Sequence, residues 1–286
     1  MRYEFMAAHE AEYGVQSMCQ ALGVGRSGYY AWRKRATSLR EKRDRELVGH
    51  IRAAYINSRK TYGSPRIHAA LQRQGVLCGR NRVAKLMRLH GITARKRSRR
   101  FPVTTQRQPG ALPAPNLLNQ DFSATESNQK WVTDITYIDT AEGWLYLAPV
   151  LDLFSRQVVG WAMADHSQAS LVESALRMAL ARRHPQPGFL HHSDQGSHYT
   201  SFTYQLQLLA HHCRISMSRV GNCYDNAVME SFFATLKTEC ATGQFASQAQ
   251  ARRAIFEYIE VWYNRQRLHS SLGYLSPAEF EKLSGK

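Results

Sequence analysis

The sequence predicts a chain in two parts: a basic, all-α amino-terminal region, then an α/β domain built on a mixed five-stranded sheet with flanking helices. Three observations carry this. Charge is uneven: residues 1–110 hold 24 Lys and Arg against 6 Asp and Glu, and the other residues of the 286 hold 14 against 16. A stretch rich in proline and poor in periodicity occupies residues 101–127. Beyond it, apolar runs of strand length come first in succession and then alternate with helical patterns. The expected boundaries are therefore 1–100, 101–127 and 128–286.

In the first region, VQSMCQAL, GVGRSG and YYAWRKRAT read as helix, glycine-containing turn and helix. A second such unit follows. SPRIHAALQRQG opens with Ser64 as N-cap and Pro65 at the first helical position, and RNRVAKLMRLHGI closes at Gly91. Residues 40–57 form a charged helix between the two units. Two helix-turn-helix-like units in a basic region point to a polyanion, because Lys and Arg that meet phosphates release condensed counterions. The residues expected to touch DNA are Arg26, Tyr29, Tyr30, Arg33, Lys34 and Arg35 in the first unit, Arg80, Arg82 and Lys85 in the second, and the cationic run Arg95, Lys96, Arg97, Arg99 and Arg100.

Several classes are excluded. The five cysteines, Cys19, Cys78, Cys213, Cys223 and Cys240, lack paired spacing, so neither a disulfide framework nor a zinc knuckle is expected. No signal peptide and no apolar run of about 18 residues is present, so a cytoplasmic protein without a membrane partner is expected. His191, His192, His211, His212 and Cys213 lack the spacing of a tetrahedral site.

The second half starts with WVTDITYI, which alternates faces. WLYLAPVLDLF, RQVVGWAMA, FLHHS and RISMS are the remaining strands. Helical patterns fall at SLVESALRMALARR, SFTYQLQLLAHH, GNCYDNAVMESFFATLKTE and QAQARRAIFEYIEVWYNRQR. Acids within this framework need explaining. Asp134 lies mid-strand, where aspartate is depleted, and shares a face with Val132, Thr136 and Ile138. Asp194 ends FLHHS and opens the turn DQGS, at the strand end where α/β sheets present binding groups. Asp225 reads as the N-cap of the helix that follows, with Tyr224 and Met229 as its staple, and Asp152 reads as a strand end paired with Arg156. Glu230 falls with Asn226 and Lys237 within about 40° on one border of an apolar stripe formed by Val228, Met229, Phe232, Phe233 and Leu236.

Oxygen donors suit Mg²⁺, a hard cation, and two such ions can clamp the attacking and leaving oxygens of a phosphoryl displacement. Asp134, Asp194 and Glu230 supply such donors from two strands and a helix. Thirty-five residues separate Asp194 from Glu230, and Lys237 follows two helical turns later. This spacing resembles the D,D(35)E pattern of transposases and retroviral integrases. HSDQGSHYTS, SRVGNCYDNAVMESFFATLKTE and YNRQRLHSSLGYLSP, with the upstream blocks LGVGRSGYYAW, YGSPRIHAAL and WVTDITYI, are similar to signatures of the insertion-sequence-three family of transposases. His198 departs from the glutamine expected there.

The resemblance implies a ribonuclease H-like catalytic domain. It carries Asp134, Asp194 and Glu230 over as a metal-binding catalytic triad that holds two Mg²⁺ ions in one site (Mn²⁺ substituting), with Lys237 as a helper contacting the DNA end. It further implies cleavage at terminal inverted repeats, attack of the freed 3′-hydroxyl on target DNA, a downstream-frame product partnered by or fused to an upstream-frame product, and a dimer or higher oligomer on bacterial nucleoid DNA. A non-catalytic DNA-binding regulator and a ribonuclease H-type nuclease are the alternatives. Arg265, Arg267 and His269 are read either as packing or as DNA contacts.

Overall fold

A computed structural model describes residues 2–35, 38–95, 113–219 and 222–285. Its contacts divide the chain into two compact units, Met1–Ile51 and Arg52–Lys286.

The first unit holds α1 (Arg2–Ala8), α2 (Val15–Leu22), α3 (Arg26–Lys34) and the start of α4 (Leu39–Asn57). The expected helix-turn-helix is α2 and α3. Gly23 ends α2 in the left-handed region at φ 61°, returning its N–H to Gln20 O while Val24 reaches Cys19 O. At seven residues, α1 is too short to stand alone, and periodicity does not announce it. It is held by burial of Met6 with Met18, Cys19 and Tyr29, against which Tyr3 and Trp32 pack.

The second unit holds the end of α4, then α5 (Ser64–Arg73) and α6 (Arg80–Leu89). Gly63, not Ser64, takes the N-cap position of α5, and Pro65 lies in its first turn. The strands and helices that follow are β1 (Lys130–Thr133), β2 (Thr136–Thr140), β3 (Gly143–Asp152), β4 (Val158–Ala164), α7 (Ala169–Arg183), β5 (Leu190–Ser193), α8 (Phe202–Ala210) and β6 (Arg214–Met217). A 3₁₀ turn at Cys223–Asn226 leads into α9 (Ala227–Glu239). Next comes α10 (Gln248–Glu257), which continues through a π-helical segment, Tyr258–Tyr263, and the described chain ends with α11 (Pro277–Ser284). Among the described residues no helix is long and apolar enough to cross a membrane.

β3 is the hub of the mixed sheet. β4 pairs antiparallel on one edge, β1 and β2 pair antiparallel in tandem on the other, and β5 and β6 continue parallel from β1. The sheet has six strands where five were expected, because WVTDITYI is interrupted at Asp134 and Ile135. Thr133 faces Val150 and Thr136 faces Leu147, so the register is unchanged across the break and puts Pro149 opposite Asp134. Pro149 has no N–H for the ladder, and its carbonyl accepts from Thr133 Oγ1 at 2.9 Å.

One sheet face packs on α7, whose Leu171, Val172, Ala175, Leu176 and Ala179 are buried with Trp131, Ala148 and Val150. The approach is close at Gly160, where a Cβ would meet Ala175 O at 2.4 Å. α9 and α10 lie against β1, β2 and β3. α9 buries Met229, Phe232, Phe233 and Leu236, matching the expected stripe except for the half-buried Val228.

The second helix pair is tied to the carboxyl-terminal segment. Leu268 N donates to Tyr62 Oη at 2.7 Å, Arg59 pairs with Glu257 at 2.6 Å, and Arg73 pairs with Glu279 and donates to Tyr274 O. Arg267 and His269 therefore pack rather than face solvent: Arg267 grips Glu239, and the His269 ring stands edge-on to Tyr263 at 5.0 Å. Arg265 is exposed.

Candidate active site

The interruption in the first long strand frees Asp134 to turn back on its own backbone, its Oδ1 accepting from Ile135 N at 2.8 Å. Burial pushes the Asp134 carboxyl well above the usual range. Asp194 and then Glu230 push the same way, while the Ile135 N–H and Lys237 oppose them. All four expected site residues are thus in electrostatic reach of one point, from the β1/β2 break, the end of β5, and the first and last turns of α9. Burial lowers the pKa of Lys237 and Asp134 raises it, and the ammonium lies 5.0 Å from the centre of the Tyr137 ring.

Asp194 is shaped by the turn it opens. Its Oδ1 accepts from Gly196 N at 2.9 Å, and a Cβ on Gly196 would come within 3.0 Å of that oxygen, so glycine leaves the carboxylate room to lie across the turn. His198 lies in the field of Asp194, which raises its pKa against a larger depression by burial. Glu230 is exposed at the start of α9. That helix is tied to β1 by Asn226, whose Nδ2 donates to Thr133 O at 3.3 Å and whose buried Oδ1 has no described partner. Asn226 shares the border with Glu230 and Lys237 on the helical wheel, and that shared border was the available signal for its role.

Two acids sit otherwise than expected. Asp225 is fully buried and caps nothing: it accepts from Arg219 N, Nε and a guanidinium NH₂, from Asn116 Nδ2 and from Gln120 Nε2. Arg219 foremost holds its pKa well below the ordinary range. Asn226 takes the N-cap of α9, and Tyr224 is exposed, so no staple closes over Met229. Asp152 does not pair with Arg156. It accepts from Asn128 N and Phe154 N and lies 3.8 Å from Arg183, because the strand end folds back on itself before Arg156.

Among the described residues no group of three or more His, Cys, Asp or Glu side chains forms a ready-made metal cage. The donor chemistry nevertheless suits a hard divalent cation, since Asp194 and Glu230, which lie in electrostatic reach of Asp134, bring two further carboxylates to it.

The expected DNA contacts divide. Arg26, Tyr30, Arg33, Lys34 and Arg35 are exposed on or just after α3, Arg26 lies 6.0 Å from the Tyr30 ring, and Arg33 pairs with Glu10. Tyr29 is fully buried in the core of its unit, its hydroxyl donating to Glu10, so its ring is not presented to a ligand. Arg80 and Lys85 are exposed on α6, with Arg82 half-buried beside them. Arg95 is exposed and donates to Thr238 O at 3.3 Å, beside Lys237. Lys96, Arg97, Arg99 and Arg100 lie outside the described residues.

Comparison with known proteins gives the same architecture. Residues 124–223 and 211–277 match integrase core domain families, and residues 41–100 match an HTH-like domain family. The chain is 45% identical over 284 residues to the transposase InsF for insertion sequence IS3A of Escherichia coli (strain K12), covering 98% of each. It is 44% identical over 266 residues to an insertion element IS600 uncharacterized 31 kDa protein of Shigella sonnei, covering 93% of this chain and 97% of the other. Among solved structures, a simian T-cell lymphotropic virus intasome aligns at 17% identity with a TM-score of 0.46 over 74% of this chain and 69% of the other. The HTLV-2 integrase catalytic core domain in complex with magnesium aligns at 13% identity with a TM-score of 0.42, over 56% of this chain and 99% of the other.

The family models and the curated relatives define a polynucleotidyl transferase: an integrase core of ribonuclease H-like fold preceded by a helix-turn-helix region. More particularly, the chain belongs to the insertion-sequence-three (IS3) family of transposases.

Proposed function

We propose that this transposase cuts phosphodiester bonds at the terminal inverted repeats of its insertion element and joins the freed 3′-hydroxyl to target DNA, using Asp134, Asp194, Glu230 and Lys237. The observation that carries the proposal is the convergence on Asp134, at the β1/β2 break, of Asp194 from the end of β5 and of Glu230 and Lys237 from α9. Asp134, Asp194 and Glu230 are the residues that would hold Mg²⁺ or Mn²⁺, two ions together. Bound there, the ions would neutralise phosphoryl charge and make a water or a 3′-hydroxyl a better nucleophile.

The chain's own part is positioning. The Ile135 N–H fixes the Asp134 carboxyl at the break in the strand. Asn226 holds the start of α9, and with it Glu230, to the end of β1. Lys237 offers a cation for the phosphate next to the cut bond. Cleavage takes the oxygen of water onto phosphorus as the 3′ oxygen leaves and gains a proton. Joining repeats the displacement with that 3′-hydroxyl as nucleophile, so neither step requires a covalent bond to the enzyme.

Residues 1–100 serve as the DNA-binding part, with Arg26, Tyr30, Arg33, Lys34, Arg35, Arg80, Arg82, Lys85 and Arg95 meeting mostly phosphates, and residues 128–286 perform the chemistry. The upstream-frame product, a dimer or larger assembly on the DNA and a cytoplasmic, nucleoid-bound location belong to the same proposal.

The test uses an oligonucleotide duplex carrying the element's terminal repeat, with Mg²⁺ or Mn²⁺. The wild type nicks or joins strands, and Glu230→Gln abolishes this while retaining DNA binding. Unchanged cleavage by that variant overturns the assignment.

A further inference from the structure

Beside the proposed site, the hairpin between β2 and β3 carries an open indole. Trp144 is 51% exposed and meets Tyr137 edge-to-face, ring centres 5.1 Å apart. Tyr137 in turn lies 5.0 Å from Lys237 Nζ, the ammonium that feels Asp134. Arg95 reaches the same helix end through its bond to Thr238 O. The hairpin acids are engaged elsewhere: Asp139 accepts from Gln244 Nε2 at 3.1 Å, and Glu142 accepts from Gln248 N at 2.7 Å.

A half-exposed indole, joined through Tyr137 to the end of α9 where Lys237 and Arg95 lie, offers the two chemistries of a single nucleotide: phosphate for the cations and a π system for the base. An acidic peptide would use the cations but leave the indole idle, and an apolar peptide would strand the cations. In duplex DNA base faces are covered by their neighbours, so a face is free to stack only where a base has left the helix.

We propose that Trp144, backed by Tyr137, is a stacking subsite for one unpaired nucleobase flanking the phosphate that is cut. The proposal rests on the cleavage reading above and deepens it: holding a displaced base would keep the strand opened at the phosphate that Lys237 and the carboxylates engage.

Wild type, Trp144→Ala and Trp144→Phe are compared on terminal-repeat duplexes with an abasic nucleotide placed at each position flanking the cut. Trp144→Ala slows single-turnover cleavage of intact DNA by about tenfold or more, and Trp144→Phe recovers most of it. At one position the abasic substitution slows the wild type by the same factor and slows Trp144→Ala no further. A 2-aminopurine at that position reads the stack without any cleavage, its emission differing between the wild-type and Trp144→Ala complexes. Equal emission from both complexes at every flanking position overturns the subsite, whether or not the DNA is cut. Failure of the wild type to cut under any metal overturns the cleavage reading instead.

Discussion

Arg267 closes α9 from outside. Its Nε and one NH₂ bond both carboxylate oxygens of Glu239, the last residue of that helix, at 2.8–3.0 Å, and each side chain is only 4% exposed. Tyr258 Oη and Trp262 Nε1 complete the carboxylate at 3.0 and 3.2 Å, presented together by the π-helical segment. The helix that carries Glu230 and Lys237 is therefore pinned at its far end by the YNRQRLHSSLGY segment.

Removing one partner strands the other. Arg267→Ala should destabilise the protein by roughly 3–5 kcal/mol, because Glu239 would remain buried without its countercharge. Guanidinium unfolding measures this, and Arg267→Lys should recover only part, lacking the planar fork.

The contact between β4 and α7 leaves no room for a methyl group. Gly160→Ala would place a Cβ 2.4 Å from Ala175 O and 2.5 Å from Ala179 N, both backbone atoms. A loss of about 1–3 kcal/mol is expected from overpacking, read as a lower denaturant midpoint at unchanged slope.

Three histidines set an acid limit, His191 and His192 buried and His269 half-buried. Burial pushes His191 down to about 3, His192 down to about 4 and His269 down to about 2. Each folded value lies below the ordinary value of 6.5, so the unfolded chain binds protons that the folded one refuses. Their contribution is complete above pH 6.5 and is lost as pH falls toward the folded values, at about 1.4 kcal/mol per pH unit for each histidine. The slopes of the three histidines add, so stability should fall steeply from pH 6.5 to 4, and a flat profile would contradict the burial of these rings.

Asp134 works in the opposite sense. Its pKa is raised, so ionising it opposes folding, a cost that is complete above the folded value, shrinks as pH falls below that value and is gone below the unfolded one. Asp134→Asn should therefore unfold at a higher temperature than the wild type at pH 7 while losing cleavage. Millimolar Mg²⁺ should raise the wild-type melting temperature, EDTA should reverse the rise, and Asp134→Asn should respond to neither.

Phosphate contacts predict a salt signature. Replacing exposed Arg80 or Lys85 with Ala should weaken binding about equally for all DNA sequences and reduce the slope of log affinity against log salt by about 1. A change confined to one sequence would mean base reading instead.

Much of this was legible in the sequence because it is local or periodic. Helices α2, α3, α5 and α6 follow from apolar spacing and glycine stops, and the strands from β-branched runs of the right length. Asp134, Asp194 and Glu230 stood out in the sequence as candidates because aspartate in a strand is a cost that needs a reason, and because their spacing resembles a known pattern; the structure brings Asp194 and Glu230 into electrostatic reach of Asp134. What misled was also local. Asp225 has the look of a helix cap, yet Arg219, Asn116 and Gln120 draw it into the interior from elsewhere in the chain. Tyr29 stands among cationic residues, yet α1 closes over it.

By itself, the sequence determined most of the helices and strands, their order, the charge asymmetry and which acids stand out, all of which are properties of neighbours along the chain. Only the tertiary structure decided which groups meet. Pro149 lies fifteen residues from Asp134 in the chain, yet the β3 register sets it opposite, and there the strand gives way. Trp144 beside Tyr137 and Lys237, and Arg267 beneath Glu239, are likewise products of pairing and packing between distant segments. Such contacts depend on the sum of burial and hydrogen bonding across the whole domain, and no window of sequence contains that sum.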